Sequence, residues 1–406
     1  MQIAECGLWN GEFSIFDCRM PILNCSSNPK LEIENLKLQS KLESIATLLT
    51  FFFLLLGSSP SFGNGTSLTL IYTSNTLGEV EPGCCPETGN AGGLARRFTY
   101  IQKVREEVKN PLVLDAGDAL VLSYFSKERE QEKARKRAEF VLKIYEKMGY
   151  DALNIGDTDL GLGIEYLRNL QKSSKIPFLS ANLKDKKTGK TIFKPHVIKE
   201  IDGSRLGIIG LLTPEISPAI LKELKGYVVE DPIKVATEMT RRLIAHCDYL
   251  IALAHLTSSE IESLAKGIPE ISIVIGGQDR SFVFPKKIHR SIVVQTDAFG
   301  IHIGRLNLRL VKGSSEYVDV AAKSKLQKNI EEIQKKIDDP QYAKEVKSLL
   351  ELRDTLSEQK KKLPETNRKN TYENYLTLMH PKMESDKEIQ NLIESSRDQL
   401  KRPIPY

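Results

Sequence analysis

Met148–Gly163 reads MGYDALNIGDTDLGLG, and its three parts decide the fold. Met148 closes a long amphipathic stretch of helical period, Arg129–Met148. Ala152–Ile155 is a short apolar run suited to a buried strand, and it ends in the polar tip Ile155-Gly156-Asp157. Working outward, the same alternation recurs along the chain. Further strands are predicted at Leu68–Thr73, Leu112–Asp115, Pro177–Ser180, Leu206–Leu211, Tyr249–Ala254, Ile271–Ile275, Ile292–Thr296 and Ile303–Leu310. Further helices are predicted at Leu94–Val108, Ile164–Gln171, Pro232–Ala245 and Ser258–Ala265. Short apolar strands alternating with longer amphipathic helices predict an α/β protein with a layered sheet core. Two more strands end in chemically equipped tips, Asp115-Ala116-Gly117-Asp118 and Ala254-His255. The carboxyl ends of strands are where α/β proteins gather their chemistry.

Composition sets outer limits. The chain has 406 residues, 40% apolar and 27% charged, which suits a globular protein and excludes wholesale disorder. A net charge of +5 is too mild for a nucleic-acid binder, and no block of Lys and Arg interleaved with aromatics occurs. Ile45–Leu56 is a mostly apolar run preceded by Lys37 and Lys41 and followed by the small residues of Gly57-Ser58-Ser59-Pro60-Ser61-Phe62-Gly63. As a helix it would span ~18 Å, short of the ~30 Å of bilayer hydrocarbon. Residues 37–63 are therefore predicted to be a signal peptide, cut after Gly63, and the mature chain is predicted to be periplasmic or otherwise extracytoplasmic without a membrane anchor. Residues 1–36 fit no signal sequence and read as a gene-model extension ahead of a start near Lys37, at a non-standard codon such as Leu36 or Leu38, with Met20 the fallback. Their removal leaves Cys84, Cys85 and Cys247, an odd number that rules out a disulfide framework. Cys247, next to a buried strand, reads as a small core hydrophobe.

After Lys312 the pattern changes. Leu326, Ile330, Ile333 and Ile337 form one narrow stripe, Asp338-Asp339-Pro340 breaks it, and Tyr342, Val346, Leu349 and Leu356 form a second. This predicts an antiparallel helical hairpin over 322–362, packed on its own domain or serving as a self-association arm. Asn367–Asn374 reads as a linker, and 375–406 as a helical tail with an amphipathic helix at Asp386–Leu400.

An ordered set of segments resembles the amino-terminal domain of 5′-nucleotidases among the calcineurin-like metallophosphoesterases. The set is Thr73-Ser74-Asn75-Thr76-Leu77-Gly78, Gly92-Gly93-Leu94-Ala95-Arg96, Leu114-Asp115-Ala116-Gly117-Asp118, Met148–Gly163, Leu179-Ser180-Ala181-Asn182, Leu206–Pro214, Ile251–Leu256, Ile273–Gly277 and Val294–Arg305. The resemblance implies a four-layer β-sandwich of mixed sheets flanked by helices over 67–312. It also implies a pair of divalent cations, bridged by a carboxylate, that clamp a water and a phosphate. Oxygen and imidazole donors are what such ions require.

Ligand by ligand, this chain departs from that pattern. Asn75 and Leu77 stand where the resemblance implies an Asp and a His; Asp118 keeps the bridging Asp; Asp157 replaces an Asn ligand. Thr158 replaces the transition-state His, His255 keeps a ligand His, and Gln278 and Arg280 replace two more. One cation position is thus expected to be lost through Asn75, Leu77 and Arg280. The other, with Asp118, Asp157, His255 and the weak donor Gln278, is expected to suit a single divalent cation, and the Arg280 guanidinium is expected to neutralise Asp118.

Gly83-Cys84-Cys85-Pro86 follows the first motif and resembles a bacterial branch with a Glu-Pro-Cys-Gly-Cys loop, sometimes carrying selenocysteine; only Cys85 keeps its place. Cys84 and Cys85 remain open to three roles: a vicinal disulfide, a thiolate ligand, or bystanders. The ~95 residues after the first domain read as helical, so no base-clamping domain is expected and nucleotide specificity is not inferred. Three functions therefore stay open. One is a single-metal hydrolase or redox enzyme acting on an unidentified small molecule or redox partner. The second is a non-catalytic binding or assembly module. The third is a phosphoester hydrolase with an atypical centre.

Overall fold

The computed structural model describes residues 65–83 and 90–403, all within one unit, Gly63–Tyr406. Apolar runs too short for helices pair into two large sheets. The first is built from β1 (Thr66–Thr73), β2 (Leu112–Asp115), β3 (Ala152–Asn154) and β4 (Phe178–Leu179). The second takes β6 (His196–Ile201), β7 (Ser204–Leu212), β9 (Tyr249–His255), β10 (Ile271–Gly276), β11 (Val283–Ile288) and β12 (Ser291–Gln295), while β5 (Leu183–Asp185) and β8 (Tyr227–Val229) form a separate pair. β13 (His302–Leu310), β14 (Tyr317–Asp319) and β15 (Asn370–Leu378) return to the first sheet, giving it the order β14-β15-β13-β1-β2-β3-β4. The second sheet runs β11-β12-β10-β9-β7-β6. Both sheets are mixed: β1 through β4 are mutually parallel, as are β7, β9, β10 and β12, with antiparallel partners outside them.

The central strands β2, β7, β9, β10 and β12 bury both faces, which explains their nearly unbroken apolar sequences. Leu70, Leu114, Ile208, Ile251, Ile273 and Ile292 fill the space between the sheets. On the outer face of the first sheet, Ile71, Val113 and Leu153 pack under the helices Leu94–Glu107, Glu128–Met148 and Ile164–Ser173. On the outer face of the second, Ile209, Ala252 and Val274 pack under Pro232–Leu243 and Ser258–Gly267. Each fully buried Leu or Ile contributes about 1.5–3 kcal/mol before chain entropy is counted. The result is the four-layer helix–sheet–sheet–helix sandwich expected from the sequence.

The carboxyl-terminal region corrects the sequence reading. Asn367–Asn374 is no linker, and 375–406 is not wholly helical, because β15 pairs along eight positions of β13 and carries β14 on its other edge. Without β15, β13 would present a bare row of backbone donors and acceptors, so this segment completes the sheet and 312 is no boundary. Its inner face places Tyr372 and Leu376 in the central core. Between β14 and β15 the hairpin forms from Ala321–Asp338 and Val346–Lys361, joined through a short 3-10 turn at Pro340–Tyr342. The last helix is shorter than expected, Lys387–Ser395, capped by the Asp386 carboxylate.

Candidate metal centre

Every described candidate site residue sits at or just beyond the carboxyl end of a parallel strand. Asn75 and Leu77 follow β1, Asp118 follows β2, Asp157 and Thr158 follow β3, His255 ends β9, and Gln278 and Arg280 follow β10. His255 is fixed by what comes next: Thr257 and Glu260 form a reciprocal capping box that starts the helix Ser258–Gly267 directly after the strand. The β1 loop is laced to the β2 loop by three backbone bonds, Asn75 N to Gly117 O (2.9 Å), Leu77 N to Asp118 O (2.8 Å) and Gly78 N to Ala119 O (3.0 Å). Asn75, Leu77, Asp118 and Arg280 all hold left-handed backbone, with φ of 51°, 56°, 56° and 51°. A branched residue such as Leu77 adopts this conformation at a cost of about 1–2 kcal/mol.

Asp118, Asp157 and His255 converge. His255 Nε2 lies 2.9 Å from Asp157 Oδ1 and 3.5 Å from Asp118 Oδ1. Among the described residues these three offer donor atoms all within 4.8 Å of one another. Asp118 and His255 are fully buried, and Asp157 is nearly so. Thr158 N–H donates to Asp118 Oδ1 at 2.9 Å, while the Thr158 hydroxyl turns away to Val121 O at 2.8 Å. The approach is close: a Cβ at Gly156 would fall 2.1 Å from Asp118 Oδ1, and one at Gly277 would fall 2.7 Å from His255 Nδ1. Burial opposes a charge on His255, but Asp118 and Asp157 outweigh it and hold the imidazole up at about 9. Burial also raises Asp118, against the pull of His255.

Two carboxylates and an imidazole suit a divalent cation. The Oε1 atom of Gln278, beside Gly277, is buried with no hydrogen-bond partner among the described residues, as is Asn75 Oδ1. Such orphaned acceptors are what a nearby cation would satisfy. On the far side, Arg280 Nη2 stands 3.7 Å from Asp118 Oδ2, and Leu77 is buried and offers no donor. Cys84 and Cys85 lie outside the described residues; Gly83, just before them, lines a cavity of about 270 Å³ together with Leu77, Leu120 and Phe299.

Two supporting groups escaped the sequence reading. Asp159 accepts three backbone N–H groups: Asp118 and Gly156 on Oδ2, both at 3.0 Å, and Leu120 on Oδ1 at 2.8 Å. Burial, with the Asp118 charge, pushes its carboxyl up to about 8 against these donors. Arg97, fully buried, donates to Thr76 Oγ1 (2.9 Å) and Tyr145 OH (2.8 Å), and Tyr145 in turn donates to Asp115 Oδ2 (3.1 Å). An available signal was Arg97 itself, which falls on the apolar stripe of Leu94, Ile101 and Val104, where a charge needs buried partners.

Comparison with known proteins agrees with the fold. No family model matches the chain. A 5′-nucleotidase of Diplobatis ommata is 27% identical over 280 residues, covering 61% of this chain and 46% of that protein. The structure of a 5′-nucleotidase precursor from Thermus thermophilus superposes with a TM-score of 0.55 at 21% identity, over 82% of this chain and 59% of that one. The calcineurin-like phosphoesterase YfkN of Bacillus subtilis gives a TM-score of 0.58 at 18% identity, over 83% of this chain and 98% of that one. The chain thus has the calcineurin-like phosphoesterase fold. Its sequence relatives include 5′-nucleotidases and a 2′,3′-cyclic-nucleotide 2′-phosphodiesterase/3′-nucleotidase, and it spans about half the length of these curated relatives.

Proposed function

We propose that this chain is a single-cation variant of the 5′-nucleotidase amino-terminal domain, and not a two-ion phosphatase. Asp118, Asp157 and His255 would hold the cation, with Gln278 as a weak fourth donor. The observation that carries the reading is Arg280, whose guanidinium stands 3.7 Å from the carboxylate that would bridge two ions. A second dication approaching Asp118 from that side meets a fixed positive charge, an aliphatic Leu77 and a neutral Asn75. When bound, a single cation supplies Lewis acidity and a charged anchor. The chain's own groups do the positioning: Thr158 N–H donates to Asp118 Oδ1, and Asp159 anchors the Asp118 backbone. Thr158 presents no imidazole, and its hydroxyl is already committed to Val121, so nothing at that position protonates a leaving group.

Export through residues 37–63, and a redox or metal-binding role for Cys84 and Cys85, belong to the same proposal. Among the described residues no helix is long and apolar enough to cross a membrane. The competing reading, an assembly module, draws on the hairpin: of its two helices Ile333 alone is buried, and Leu352 is half-exposed. Elemental analysis of the purified protein, paired with turnover of a phosphomonoester and light scattering, separates the two. The proposal expects one equivalent of divalent metal, lost in Asp118→Asn and His255→Ala, with little phosphomonoester turnover. Two equivalents with brisk turnover would defeat it. No metal, together with an association state that depends on 322–362, would favour the assembly module.

A further inference from the structure

We infer that the cavity bounded by Leu77 is a binding site for the uncharged, apolar part of a small molecule. The inference goes beyond the single-cation reading and does not depend on a bound ion.

The cavity holds about 270 Å³ and is bounded by the loops after β1 and β2, the helix Glu128–Met148, the loop leading into β13, and Arg402 and Pro403. Leu77, Leu120 and Val121, which are buried, and Leu122, Phe299 and Ile301, which are partly exposed, line it. A concave, mostly apolar lining with a few polar groups is the usual form of a small-molecule pocket. The volume is nearly twice the ~150 Å³ of a dry apolar cavity that takes up benzene, which leaves room for a bicyclic ring or an alkyl chain of similar bulk.

The charged side chains on the lining decide the ligand's chemistry, because they are engaged within the protein. Arg137 Nε and Nη2 donate to Gly78 O at 3.1 and 2.8 Å, and its Nη1 donates to Leu400 O. Glu79 Oε2 accepts from Arg402 Nη2 at 2.7 Å and stands 3.7 Å from Arg137 Nη2. The backbone follows suit: Gly78 N–H donates to Ala119 O at 3.0 Å. A ligand that needs hydrogen bonds finds these partners taken, and so does an ordered water, which requires two to four of them. The unmet demand of the cavity is apolar surface, and only an apolar group answers it.

Fluorescence titration of the full chain with N-phenyl-1-naphthylamine, an uncharged dye that brightens in apolar surroundings, reads the site. Saturable binding is expected, equal with and without Mn²⁺. 1-Decanol and decanoate, added in parallel arms, tell a free apolar molecule from the tail of an anionic amphiphile; displacement by neither overturns the inference. Ala134 lies on the lining, buried, in the helix Glu128–Met148. Ala134→Leu puts three more carbons into the space and should weaken dye binding about tenfold. Its melting temperature should hold or rise, because a void is filled. Unchanged dye affinity in this variant overturns the inference. Should the larger side chain prevent folding, Leu122→Ser, at a partly exposed position on the same lining, should weaken the dye several-fold, and unchanged affinity there is equally fatal. Dye binding seen only in a chain cut after Pro403 would assign the space to residues 404–406 and overturn the inference too. None of these outcomes bears on metal content, so this inference and the single-cation reading fail separately.

Discussion

Replacing Asp159 with alanine tests whether the site is held by its loops or by its ligands. Its two oxygens accept N–H groups from Asp118, Gly156 and Leu120, all within the buried floor of the centre. Each buried donor stripped of its acceptor costs about 1–3 kcal/mol. Three give a ceiling of ~9 kcal/mol, and water entering the vacated space recovers part of it, so about 4 kcal/mol is expected. Against a total stability of about 5–15 kcal/mol that is a large loss, and urea unfolding followed by far-UV circular dichroism will resolve it. Asp159→Asn should cost less, ~1–2 kcal/mol, because its oxygen can keep the Asp118 and Gly156 donors. Cation affinity should drop in the alanine variant and survive in the asparagine one, because Asp118 takes its left-handed backbone with its N–H anchored on Asp159. An alanine variant within about 1 kcal/mol of wild type would refute the reasoning. Should alanine prevent folding, an asparagine variant that loses the cation as well would refute it instead.

Restoring the lost donors with Asn75→Asp, Leu77→His and Arg280→His should raise bound metal from one equivalent to two, since the three positions lie on the loops after β1 and β10 that flank Asp118; elemental analysis decides, and a count that stays at one argues that more than side chains has changed. Burial pushes Asp115 up to about 6, with Thr73, Gly117 and Arg97 opposing. Its folded value lies above the ordinary 3.8, so the native state holds this proton more tightly; that stabilisation is complete below about pH 4 and lost as pH rises through about 6, on the order of 3 kcal/mol. Asp115→Asn should be less stable overall but flatter across pH 4–6.5 in urea unfolding, and an unaltered slope would remove Asp115 as the cause. A chain ending at residue 362 lacks β15 and α-helical cover from Lys387–Ser395, and should be recovered aggregated; a soluble, cation-binding truncation would contradict the integral role given to β15.

Strands were legible where both faces are buried, because burial on two sides demands an apolar run; β2, Leu112–Asp115, was delimited to the residue. β15 hid for the opposite reason. Its Tyr372 and Leu376 enter the core, while Thr371, Glu373, Tyr375 and Thr377 lie on the other face, and the polar half of NTYENYLTL masked its alternation. A strand inserted between two others is held largely by backbone pairing, which composition does not report. Side-chain chemistry at the site was legible as far as motifs reach: Asp118, Asp157 and His255 are distant in sequence yet adjacent in space. Asp159 and Arg97 were not, because their partners are backbone N–H groups and side chains from other elements, and no local pattern encodes those.

What the sequence conceals most completely is the backbone. Asn75, Leu77, Asp118 and Arg280 differ in every chemical respect, yet all four share one left-handed conformation. For Leu77 and Arg280 that conformation has a cost and no local benefit. It is maintained by the lacing of the β1 and β2 loops and by the pinned turn after β10. Side chains at these positions can therefore change without moving the frame that presents them. That is why the cluster around Asp118 stays tight with a guanidinium on its far side, and why an exchange at residue 280 should alter cation affinity while the fold is unaltered.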